Sequence, residues 1–166
     1  MKELGTIIDA LLGQLPDGDI YEQFISCNVA GIRLVELPKG DHGHLWLDLS
    51  KLRDPPKEMI YIIELQRTDN IDQWFITIGH ELCHIFESYQ NAIPQILPYH
   101  IAKCFYAYYG GRPISDGWID WLEAFEAFCD MFSRKWLNYR NNRAEVVELL
   151  NLLRERQEIF FGRPLE

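Results

Sequence analysis

The stretch from Trp118 to Trp136, WIDWLEAFEAFCDMFSRKW, constrains the fold more than any other. Wound as a helix, its Trp, Leu, Phe and Cys residues cover most of the circumference, so such a helix must be largely buried. Three acids, Glu123, Glu126 and Asp130, interrupt that apolar surface at i, i+3 and i+7 and form one stripe. Carboxylates set into an apolar surface are costly unless paired, hydrogen-bonded or bound to a metal. The chain therefore needs a second element that meets this stripe with a cation or with strong donors.

A helix expected from Asn70 to about Tyr89 supplies one. Trp74, Ile78, Leu82, Ile85 and Tyr89 recur at helical spacing, and Asn70 with Gln73 resembles a capping pair. Within it lies His80-Glu81-Leu82-Cys83-His84, a spacing that chance produces in roughly one chain in a hundred of this composition. Residues i and i+4 share a helix face, so the two imidazoles can converge on one ion with Glu81 beside it. A zinc ion there lowers the pKa of its water to about 7, and a carboxylate in reach can take the proton during attack on a carbonyl. The alternative is a pair of histidines that are merely hydrogen-bonded on an amphipathic helix. A catalytic zinc needs a third protein ligand, and Glu126 on the aromatic helix is the expected one. Asp130, one turn on, is expected to accept the other ring N–H of a ligating histidine, the alternative being an i, i+4 pair with Arg134. Glu123 reads equally as an exposed polar edge.

The 166 residues fit one domain, 1–166, with a core at about 20–137 and a C-terminal amphipathic helix at about 143–158. Short helices are expected at 4–12 and 19–28, and strands at 31–37, 44–49 and 59–65. A short helix is expected at 99–109 within a Pro- and Gly-rich connection, and long helices from Trp118 to about Tyr139 and from Arg143 to Gln157. The fold class is then α+β, with a small, largely antiparallel sheet of about three strands packed on the His-Glu-x-x-His helix. A net charge of −9 with scattered basic residues argues against direct nucleic-acid binding. The four cysteines, Cys27, Cys83, Cys104 and Cys129, form no C-x-x-C pair and read as reduced thiols. No basic, apolar leader begins the sequence and no segment reaches about 20 apolar residues, so the expected setting is the cytoplasm, away from membranes.

Two segments together resemble a known family. WFITIGHELCHIFE (74–87) and EAFCDMFS (126–133) are similar to the ImmA/IrrE group of zincin-type metallopeptidases, and the likeness extends over roughly residues 20–137. It implies a zincin-like domain in which His80, His84 and Glu126 hold Zn2+ and Glu81 is the general base. It further implies hydrolysis of a peptide bond in a protein or peptide substrate, with DNA-binding repressors among the partners. The rival function is a metal-dependent sensor or protein-binding module with little turnover. Cys83 stands where the family has glycine, and Cys129 and Ser133 stand where it has alanine. Cys83 points away from the His80/His84 face and reads as a buried thiol. His42 and His44 flank Gly43 in an expected hairpin turn and read as surface residues. Tyr99, His100 and Tyr106 read as packing residues, with one of them able to donate to a developing oxyanion.

Overall fold

Backbone turns that only a few residue types favour set the ends of the elements in this computed structural model, which describes residues 2–47, 61–89 and 118–161. Two helices come first, α1 (Lys2–Leu12) and α2 (Ile20–Ser26). Asp19 caps α2 by accepting from the Glu22 N–H at 2.9 Å, and Asn28, at φ 60°, turns the chain into strand β1 (Val29–Val35). Strands β2 (Gly43–Leu47) and β3 (Tyr61–Gln66) follow. Helix α3 (Ile71–Tyr89) begins where Asn70 Oδ1 accepts from the Gln73 N–H at 2.8 Å, the cap its sequence suggests. Helix α4 (Trp118–Leu137) reaches α5 (Asn142–Arg156) through a short 3-10 turn, Tyr139–Asn141, with Arg140 and Asn141 both left-handed. Gln157, also left-handed, ends α5 and starts strand β4 (Glu158–Phe160).

The class is α+β, but the sheet is mixed rather than largely antiparallel, and it has four strands in the order β2-β3-β1-β4. β2 lies one position away from β1, and β3 fills the gap by running back along β2. It is thereby antiparallel to β2 (Leu45 opposite Ile63) and parallel to β1 (Ile32 opposite Ile63, Leu34 opposite Leu65). The near-continuous apolar run of β3 belongs to a central strand with most residues buried on both faces. β4 adds antiparallel to the far side of β1. Since β1 and β2 are not neighbours, the segment between them is no hairpin, and Gly43 and His44 belong to β2 itself. The expected helix at 99–109, with Tyr99, His100, Cys104 and Tyr106, lies outside the described residues, as does the side chain of Glu123.

One face of the sheet, carrying Ile32, Leu34, Ile63 and Leu65, shares a core with Ile78, Leu82 and Ile85 of α3. Phe128, Phe132 and Trp136 of α4 and Val146, Leu149, Leu150 and Leu153 of α5 complete it. Burying Phe128 and Phe132 stabilises the fold by about 1.5–3 kcal/mol each relative to exposure. A buried polar junction pins three helices. Trp136 Nε1–H donates to Gln23 Oε1 at 2.9 Å, Gln23 Nε2–H to Asn142 Oδ1 at 3.0 Å, and Asn142 Nδ2–H to the Trp136 carbonyl at 2.9 Å. Among the described residues no helix is long and apolar enough to cross a membrane.

α3 and α4 cross closely at Gly79 and Ser133, where Ser133 Oγ–H donates to the Ile76 carbonyl at 2.7 Å. A Cβ on Gly79 would collide with Ser133 Oγ and sit 2.8 Å from the Ser133 Cα, so the backbones themselves would have to part. Gly79→Ala is therefore expected to cost about 1–3 kcal/mol in urea unfolding. Ser133→Gly in the same chain is expected to recover part of that. A fully stable Gly79→Ala would contradict the close crossing.

Candidate metal centre

His80 and His84 stand one turn apart on α3, ring centroids 4.9 Å from each other and Nε2 atoms 3.1 Å apart. α4 lies alongside and brings Glu126 to both rings: Oε2 is 2.6 Å from His80 Nε2 and Oε1 is 3.0 Å from His84 Nε2. Four residues on, Asp130 Oδ1 accepts from His80 Nδ1–H at 2.7 Å. That contact leaves His80 Nε2 facing Glu126. The alternative partner of Asp130, Arg134, makes no ion pair with it among the described residues. The stripe is less embedded than its neighbours imply. Phe128, Cys129, Phe132 and Trp136 are fully buried, whereas the Glu126 and Asp130 side chains are half exposed to a cavity.

That cavity, about 480 Å³, is lined by His80, Glu81, Glu126 and Asp130 from the two helices and by His42 and Gly43 from the sheet side. Glu81 is buried, and burial raises its carboxyl pKa against the pull of His84 and His80. Gly43 approaches this carboxylate closely, and a Cβ there would collide with Thr77 and lie 3.2 Å from Glu81 Oε1. His42 also lines the cavity, its Nδ1 2.8 Å from Asp69 Oδ2. Its neighbour His44 instead joins a cross-strand chain, with Glu64 Oε1 3.0 Å from His44 Nδ1 and Glu64 Oε2 2.7 Å from Arg33 Nε. The two histidines read alike in the sequence because only the start of β2 at Gly43 separates them, leaving His42 just before the strand and His44 within it.

Cys129 is the residue whose position the sequence reading missed. Its sulfur and one ring nitrogen each from His80 and His84 all lie within 4.8 Å of one another, a group able to hold a metal ion. The thiol also touches Cys83, and burial followed by that contact pushes its pKa far up. The signal was its place on α4, three residues after Glu126 and one before Asp130. Cys27, Cys83 and Cys129 are all free and buried.

The donor set suits a divalent ion. Donors 2.0–2.1 Å from a tetrahedral zinc lie about 3.3 Å from one another, and the two Nε2 atoms and the Glu126 oxygens already stand 2.6–3.1 Å apart. Asp130 on Nδ1 holds the His80 tautomer that leaves Nε2 for the ion. Compared with known proteins, the chain matches no family model, no curated protein and no solved structure.

With no ion between them, burial works against charge on both rings, but hydrogen bonds outweigh it. Asp130 and Glu126 push His80 up to about 10, and Cys129 and Glu126 push His84 up to about 10. The same contacts hold the Glu126 carboxyl far below its usual range. Raised histidine pKa values stabilise the fold below the unfolded value of 6.5, and that contribution fades as pH climbs through about 10. Metal-free protein is therefore expected to lose its melting-temperature advantage over Glu126→Gln as pH goes from about 7 to 10. An advantage that grows over that interval would contradict these contacts.

Proposed function

We propose that the chain is an intracellular zinc metallopeptidase of the ImmA/IrrE, zincin-like kind, hydrolysing a peptide bond in a protein substrate such as a DNA-binding repressor. The observation that carries this reading is the buried Glu81 carboxyl at the wall of the cavity that His80 and Glu126 also line. His80, His84 and Glu126 would hold the ion, which supplies Lewis acidity toward a carbonyl oxygen and toward water. The remaining work belongs to the chain. Asp130 keeps a proton on His80 Nδ1. Glu81, its pKa raised by burial toward the range where a base works best near neutrality, takes the proton of the attacking water and delivers it to the departing amine. Gly43 leaves the space that keeps Glu81 in position.

Cys129 favours one rival. Were its thiolate to join both imidazoles and Glu126, four protein ligands would close the ion to water, and the protein would be a metal-dependent sensor or binding module.

Replacing Glu81 by Gln separates the two. The peptidase reading expects cleavage of casein or of candidate repressor proteins to fall by at least about 100-fold, with metal content unchanged. Undiminished cleavage by Glu81→Gln would remove the base assignment. Wild-type protein that binds a partner only when metal-loaded, and cleaves nothing, would favour the module. Gly43→Ala is expected to lower cleavage without removing the metal, because its Cβ displaces Thr77 and crowds Glu81.

A further inference from the structure

The cavity wall carries a cation that the chemistry above does not use. Arg33, Arg67 and Arg140 each pair with a carboxylate, and Arg143 and Arg154 lie over the rings of Phe75 and Trp74. Arg134 differs from these five, and unlike the exposed Arg156 it faces the cavity. It is exposed, it lines the cavity, and its guanidinium has no ion pair or hydrogen bond among the described residues. The acid one turn before it, Asp130, is engaged by His80.

Glu126, Asp130 and Arg134 follow one another at i, i+4 and i+8 along α4, so Arg134 starts about 12 Å from Glu126 along the helix axis. An extended peptide covers that distance in about three or four residues. A guanidinium offers a planar fork that matches a carboxylate bidentately. On a chain of net charge −9 it is a local feature that attracts an acidic segment the rest of the molecule repels.

We propose that Arg134 forms a carboxylate-binding subsite of the cleft, so that the preferred substrate carries a carboxylate about three or four residues from the scissile bond. The proposal rests on the metallopeptidase reading. That carboxylate belongs either to an Asp or Glu side chain or to the chain terminus.

Three peptide hydroxamates of equal length separate these cases: one neutral with an amide end, one with an acidic third residue and an amide end, and one neutral with a free terminal carboxylate. Their dissociation constants are read from the visible absorption of cobalt-substituted protein, wild type beside Arg134→Gln. One carboxylate probe is expected to bind wild type about tenfold more tightly than the neutral probe, and to lose that advantage in Arg134→Gln. Unchanged affinity of the neutral probe for the variant verifies that its site is intact. The acidic-residue probe gaining would identify a side chain as the recognised group, and the free-end probe gaining would identify the terminus. Equal binding of all three to wild type would overturn the subsite and leave the metal centre standing. No spectral response to any hydroxamate would overturn both.

Discussion

The Glu126 carboxylate, reaching from α4 to both imidazoles of α3, is the contact on which the rest of the site depends. It requires two helices whose backbones nearly touch. Gly79 and Ser133 allow that, and the aromatic face of α4 drives it by burying Phe128, Phe132 and Trp136. The part of the stripe formed by Glu126 and Asp130 is thereby turned toward a cavity, where both carboxylates find a ring nitrogen. Asp130 then adds direction, because a histidine held at Nδ1 can present only Nε2.

Local spacing made much of this legible. Two histidines four apart share a face on any helix, and Glu126 and Asp130 share one for the same reason, so which side chains could meet was readable before the packing was known. The cap at Asn70 was legible as well, since a side chain that bonds its own backbone three residues on needs no tertiary partner.

Strand direction was not legible, because pairing partners are chosen by the whole sheet. The apolar run of β3 signals a central strand, yet nothing in Tyr61–Gln66 says that β1 lies parallel to it. β4 has only three residues, too few for a period of two to stand out. Cys129 was read as a small core residue because its apolar surroundings are real. That the same thiol borders His84 depends on the rotation of α4, which the sequence leaves free within one residue. His42 was hidden similarly, since its place at the cavity follows from Gly43 packing against Thr77 and Glu81.

X-ray absorption on the protein as purified tests the central claim most directly, because it counts the atoms around the ion without needing a substrate. The expected result is one zinc per chain with a shell of only nitrogen and oxygen at about 2.0–2.1 Å, containing two imidazoles. A sulfur shell at about 2.3 Å, or no bound metal, would contradict it.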